Sequence, residues 1–233
     1  MKTNRMNRMR GFTLVELLVV IVIIAALAGL TAPMVMKQRK KADQTEALSN
    51  ARQIGMALFE FETEYGSFPD RETAAIVQES TGSTLDTTGD TSNDYFRQLI
   101  ASGITQSETM FYAKTASTPR KPDEDIGPGQ ALKAGEVGFG YLLNEETGFS
   151  SAGNPGRPIA VTPLLANSTT GEFDPDPYGG KAVVLKMDNS VTSIQIRTND
   201  RKISLGGGRT LLDNPEGSIW GSATPVLKAP ATR

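Results

Sequence analysis

The sequence predicts an α+β chain: a long N-terminal helix, its first half of transmembrane length, running on into a small globular head with an antiparallel sheet. Three observations predict it. Leu17 to Met36 contain no charge and one polar side chain, Thr31, and at 1.5 Å per residue such a helix spans about 30 Å, the thickness of a bilayer core. Ala47, Ala51, Ile54, Leu58, Phe61 and Tyr65 then recur at spacings of three and four, which places them on one helical face. Finally, "KAVVLKMDNSVTSIQI", residues 181–196, sets two β-rich runs on either side of Asp188-Asn189, residues suited to a hairpin turn.

The elements follow in chain order. Gly66 stops the first helix, with Pro69 just beyond. The stretch 80–94, "STGSTLDTTGDTSND", is polar and has little to bury, so it reads as a loop. "DYFRQLIASGI", 94–104, reads as a short amphipathic helix with Asn93 as its N-cap and Tyr95, Phe96, Leu99 and Ile100 facing inward. "PRKPDEDIGPGQ", 119–130, is an exposed connection. Val137 to Leu143 and Pro158 to Thr162 are candidate strands, and the 181–196 hairpin follows. The stretch 206–233, with Gly206-Gly207-Gly208, three prolines and the single tryptophan, reads as irregular and partly mobile.

Composition removes whole classes of chemistry. The chain has 233 residues and neither cysteine nor histidine, so disulfides, the usual zinc sites and every Ser-His or Cys-His dyad are excluded. Roughly 165 residues remain beyond the apolar segment and its flanks, enough for one modest core. The net charge of −2 is unevenly placed: Lys2, Arg5, Arg8 and Arg10 precede the apolar run, and Lys37, Arg39, Lys40 and Lys41 follow it. The two basic clusters are equal in number, so counting charges does not set an orientation across a membrane. Nothing in the pattern indicates nucleic-acid binding.

Glu16 is the anomaly at the N-terminus. A carboxylate at the edge of an apolar helix opposes membrane burial and needs a partner or a purpose. Three readings account for the segment. It is a secretory signal, with Ala26-Leu27-Ala28 as a small-residue cut site before Gly29; or a plain single-span anchor with Glu16 at the interface; or a segment cut after Gly11. The third rests on Gly11-Phe12-Thr13-Leu14-Val15-Glu16, which follows a short basic leader and precedes the apolar run. This resembles the processing signature of type IV prepilins and of the pseudopilins of type II secretion, and Pro33 resembles the proline that family members carry at this depth.

The resemblance implies cleavage between Gly11 and Phe12 by a prepilin peptidase, N-methylation of Phe12, and a free cationic amine four residues from Glu16. A neighbouring subunit's Glu16 would neutralise that amine during stacking into a fibre. Satisfying two buried opposite charges in this way sets register more than it adds stability. The implied divisions are a leader, 1–11; a transmembrane half-helix, 12–36; an amphipathic half-helix, 37–66; and a globular head, 67–233. The implied partners are other pilin-like subunits, the processing peptidase and N-methyltransferase, and the cytoplasmic membrane, with the head on the extracytoplasmic side. The alternative is a membrane-anchored binding or enzymatic head that never polymerises.

A second resemblance lies in the hairpin. Many prepilin-like proteins of planctomycete and verrucomicrobial groups carry a histidine, nine residues and an Asp-Gly turn near the C-terminus. Here Tyr178 stands ten positions before Asp188, Gly179-Gly180 follow it, and Asn189 takes the place of the glycine. "GEVGFGYLL", 135–143, is also similar to these proteins.

For head chemistry, "EFDPDPYGG", 172–180, places Asp174 and Asp176 in a proline-stiffened loop before a strand, a setting in which carboxylates hold Ca²⁺, and major pseudopilins have a similar segment near a calcium loop. Two acids do not fill six to eight coordination positions, so an ordinary turn stays open as the other reading. Gly180-Lys181 and Gly206-Gly207-Gly208 lack the context of a phosphate or dinucleotide loop. No nucleophile elbow is present, and the chain reads as a substrate of enzymes that is not itself one.

Overall fold

The computed structural model describes residues 12–118 and 120–232. The chain forms two compact units, Met1–Arg39 and Lys40–Arg233. Helix α1, Leu14–Tyr65, passes through both.

In the first unit, residues 12–39 are all exposed, and α1 is the one helix among the described residues long and apolar enough to cross a membrane. A helix hydrophobic on every side has no water-compatible face, so a lipid-like or protein environment must cover it. In the second unit α1 becomes one-sided. Ala47, Ala51, Ile54, Leu58 and Phe61 are all fully buried, and Tyr65, half-buried, stacks on Phe61 with ring centroids 4.6 Å apart. Each buried Ile, Leu or Phe contributes about 1.5–3 kcal/mol over the exposed state. Gly66 ends the helix at φ +88°, its N–H donating to the Glu62 carbonyl at 2.8 Å, so the expected stop stands.

Helix α2, Arg71–Thr81, occupies a stretch for which the sequence reading has no element. Its ends are well specified: Asp70 and Thr73 form a reciprocal capping box, and Gly82 closes the helix at φ +65°. The polar loop is consequently shorter than the expected 80–94. Helix α3, Ser92–Ala101, starts earlier than expected, and its N-cap is Thr91, whose N–H and hydroxyl both engage the Asp94 carboxylate. Asn93 does a different job. Fully buried, it donates to the carbonyls of Leu132 and Lys133 and accepts from the Ala231 N–H, tying α3 to the 132–133 turn and the C-terminal segment. Tyr95, Phe96, Leu99 and Ile100 face inward as expected.

Five strands make one antiparallel sheet in the order β4-β3-β2-β1-β5. They are β1 Gly140–Asn144, β2 Pro158–Thr162, β3 Lys181–Lys186, β4 Val191–Gln195 and β5 Pro225–Lys228. Four consecutive residues of β3, from Ala182 to Leu185, are buried, so both faces of the sheet are covered at its middle. The β3–β4 hairpin turns as the sequence predicts, with Asn189 left-handed at φ +60° where the similar proteins have glycine. β1 begins three residues later than Val137 because Gly138 instead donates to the Phe111 carbonyl, at 2.9 Å.

The 206–233 stretch is not uniformly irregular. It supplies β5, which pairs with β1 from Tyr141↔Lys228 to Asn144↔Pro225, and it buries Trp220 completely. The indole stacks on Phe149 with centroids 5.8 Å apart and donates to the Leu211 carbonyl at 3.0 Å, while Arg157 grips the carbonyls of Ile219 and Trp220.

Candidate functional site

The residues singled out by sequence fall at two places, the start of α1 and the 174–178 loop. Gly11 lies outside the described residues, and Phe12, at the start of the described chain, is 80% exposed. Immediately after it, Thr13 caps α1 and Glu16 completes the cap. The Thr13 N–H donates to Glu16 Oε2 at 2.8 Å, the Thr13 hydroxyl donates to the same oxygen at 2.7 Å, and the Glu16 N–H reaches the Thr13 hydroxyl at 3.3 Å. Such a reciprocal pair satisfies donors that the first turn of a helix leaves free. The carboxylate therefore has a local partner within its own chain. Thr13-x-x-Glu16 before an apolar run is the spacing that signals it.

Further along, Pro33 sits inside α1 and offers no N–H to the preceding turn. Thr31, the lone polar side chain of the span, hands its hydroxyl to the Leu27 carbonyl at 3.0 Å, so it exposes no unpaired donor to the apolar surroundings.

In the second unit, the Asp174–Tyr178 loop leaves a β-bridge between Leu164 and Phe173 and is anchored by the Asp174 N–H on the Pro163 carbonyl, 3.0 Å, and the Gly180 N–H on the Pro175 carbonyl, 2.7 Å. The two carboxylates have separate partners. Asp174 Oδ1 accepts from the Asp176 N–H at 3.0 Å, and Asp176 Oδ1 pairs with Lys40 Nζ of α1 at 2.6 Å. Both line a cavity of about 230 Å³ with Asp43, Lys114 and Thr115, where Asp43 is itself paired with Lys114 at 2.9 Å. Among the described residues no group of three or more His, Cys, Asp or Glu is gathered as a metal would require. One carboxylate is thus engaged by Lys40 and the other by the Asp176 N–H, while Ca²⁺ takes six to eight oxygen ligands.

Tyr178 is 2% exposed. Its hydroxyl lies beside that of Thr162 in the core, and burial raises its ionisation above the ordinary phenol range against the lowering by Thr162. It is a packed aromatic, with no acid–base part to play near neutral pH.

Sequence reasoning passed over two other residues that the fold makes consequential. Asn50, buried on the head-facing side of α1, donates to the carbonyls of Thr109 at 3.1 Å and Tyr112 at 2.9 Å, clamping a 3-10 helix, Thr109–Phe111, to α1. Glu108, just before that helix, is fully buried. Asn50 stands three residues after Ala47 and four before Ile54, so the spacing of the buried stripe takes it in, whereas Glu108 sits among polar neighbours and gives no such pattern.

Comparison with known proteins bears on the first place. Residues 6–32 match the family model described as the prokaryotic N-terminal methylation motif. The match lies wholly within the N-terminal segment. The chain is similar to the type II secretion system core protein G of Pectobacterium carotovorum subsp. carotovorum, 40% identical over 65 residues that cover 28% of this chain and 42% of the relative. It is similar also to the core protein G of Pseudomonas aeruginosa, 35% identical over 74 residues, 31% of this chain and 52% of the relative. The type IV major pilin protein PilA of Myxococcus xanthus is 37% identical over 71 residues, 30% of this chain and 32% of the relative. The chain thus spans about a third to a half of the length of these relatives, and the methylation motif occupies only a small part of the chain. No solved structure matches the chain.

Proposed function

We propose that this chain is a pilin-like structural subunit that a prepilin peptidase cuts between Gly11 and Phe12, that is methylated at the new Phe12 amine, and that assembles with like subunits into a pilus or a type II secretion pseudopilus. Before assembly it is held in the cytoplasmic membrane by its 12–36 segment, with the head on the extracytoplasmic side. It is a substrate of the processing enzyme and not an enzyme itself. One observation carries the reading: the methylation motif opens directly onto a helix whose first twenty-odd residues are apolar on every side and buried by nothing in their own chain. Lipid covers that surface in the membrane, and neighbouring helices cover it in a fibre, so one segment serves both states.

Glu16 then has two employments. In the single chain it completes the cap of α1 through Thr13. In the fibre its second oxygen takes the Phe12 amine of a neighbour, which removes an unpaired charge from an apolar setting and fixes register.

Replacing Gly11 tests the reading. Glycine offers no side chain to obstruct the peptidase, so Gly11→Val leaves the leader attached, and the chain accumulates in the membrane at precursor mass and yields no sheared or cross-linked multimers. A wild-type chain beginning at Phe12 beside a Gly11→Val chain beginning at Met1 is the expected pair of masses. A wild-type chain beginning at Gly29 would make the segment a secretory signal, and one beginning at Met1 would make it a plain anchor.

A further inference from the structure

Glu108 is the most confined acid in the head. It is 0% exposed, its Oε1 accepts the Leu132 N–H at 2.5 Å, and its Oε2 has no hydrogen-bond partner. The groups around it are mostly of its own sign. From the 120–126 connection come Asp123 and Glu124, and from the turn that follows comes Glu136. The cations nearby are already committed: Lys133 pairs with Asp123 at 2.8 Å, and Arg97 of α3 pairs with Asp94 while donating to the Ala131 and Leu132 carbonyls. Neither reaches the orphan oxygen.

We propose that Glu108 is a proton-operated latch: carried as the neutral acid it holds the 120–133 connection against the head, and on ionising it loosens that connection. The geometry gives the reason. A buried carboxylate with one unpaired oxygen beside three other carboxylates loses hydration and gains repulsion when it ionises. Burial, with Glu136, Asp123 and Glu124 adding to it, raises its ionisation above the usual carboxylate range of about 4.5, against the lowering by the Leu132 N–H.

What the latch holds is specific. Leu132 is fully buried in a left-handed conformation, φ +49°, and is kept there from three sides: Glu108 on its N–H, and Asn93 and Arg97 on its carbonyl. Glu124, which accepts from the N–H groups of Glu108 and Thr109, binds the same connection to the start of the 3-10 helix. That helix is the one Asn50 clamps to α1. A change of charge at Glu108 therefore bears on the contact between the head and its helix.

The sign of the pH dependence follows. An acid whose ionisation is raised in the folded state leaves stability whole below its unfolded value, about 4.5, and withdraws it as pH rises through the folded value. The experiment uses the full chain in detergent micelles, with the fluorescence of Trp220 reporting unfolding of the head between pH 4 and pH 8. Glu108→Gln keeps the shape and the acceptor for Leu132 and fixes the group neutral. Expected is a midpoint equal to wild type near pH 4 and above it at pH 7.5 to 8, with faster exchange of the Leu132 amide in wild type than in the variant at the upper pH, after correction for the intrinsic rate. Glu136→Gln, which removes one repelling charge, narrows the gap. A Glu108→Gln midpoint below wild type at every pH would overturn the proposal, because the ionised carboxylate would then be the stabilising form. So would a rise in the wild-type midpoint with millimolar Ca²⁺ at pH 7.5 that Glu108→Gln abolishes, since a cation and not a proton would then be the partner of the orphan oxygen.

Discussion

Replacing Gly138 with alanine, in the "GEVGFGYLL" stretch, separates what the backbone can do from what the packing allows. Gly138 is not among the left-handed glycines, so alanine could adopt its conformation freely. Yet a Cβ there would lie 2.3 Å from the Ala113 carbonyl oxygen, 2.6 Å from its nitrogen and 2.7 Å from its Cβ. Ordinary contact needs about 3.4–4 Å, and the obstacle is backbone, so the 111–113 segment must move by about 1 Å or more. That movement breaks the Gly138 N–H to Phe111 carbonyl bond, 2.9 Å, and strains the Asn50 bond to Tyr112. Overpacking costs about 1–3 kcal/mol and a lost buried hydrogen bond about 0.5–1.5 kcal/mol. The sum, about 1.5–4.5 kcal/mol, is a large share of a typical domain's 5–15 kcal/mol.

The control is Gly129→Ala, where nothing lies within 4 Å but φ is +71°; a left-handed alanine costs about 1–2 kcal/mol. Guanidinium unfolding of the full chain in micelles, followed by Trp220 fluorescence, gives both losses. Gly138→Ala is expected to lose the more. A loss at Gly138 no greater than at Gly129 would refute the close approach of the two backbones.

At the N-terminus, Glu16→Gln removes the charge while keeping shape, so membrane insertion persists and multimer yield falls; Thr13→Ala removes the side-chain partner of the carboxylate yet leaves the charge, so multimers persist. Equal yields of sheared or cross-linked multimers from Glu16→Gln and wild-type membranes would confine Glu16 to its capping role. For the 174–178 loop, the Lys40–Asp176 pair and the Asp176 N–H on the Asp174 carboxylate lead to an unchanged unfolding midpoint across a millimolar Ca²⁺ titration; a rise that Asp174→Asn and Asp176→Asn both remove would mean that the loop rearranges, releases Lys40 and binds the ion.

Local signals account for much of what the sequence alone conveyed. The two halves of α1 were legible because a charge-free run and a three-and-four spacing are properties of neighbours along one helix, and Gly66 because its stop needs nothing beyond its own backbone. The same holds for β2 and for the β3–β4 hairpin, whose turn residue Asn189 carries its left-handed conformation in its own chemistry. The N-terminal methylation motif is likewise contiguous, and the Thr13–Glu16 cap is spelled out within four residues. α2 had local caps too, but its apolar residues Ala74, Ala75, Ile76 and Val77 are adjacent, so they give no helical period.

Other features exist only because distant segments meet. Thr91 rather than Asn93 caps α3 because Asn93 is needed by carbonyls some forty residues away and by the Ala231 N–H. β5 is four residues long and pairs with β1 across the length of the head; alone, so short a strand has no alternation to read. Lys40 meets Asp176 across 136 positions, and the burial of Glu108 among Asp123, Glu124 and Glu136 follows from how the 105–136 segment folds on itself. The sequence determined by itself the long helix α1, the β3–β4 hairpin and the N-terminal methylation motif, since those depend on bonds and spacings within a few residues. Only the tertiary structure decided which polar groups are buried and with whom, because desolvation and charge pairing depend on neighbours that the chain brings together from far apart.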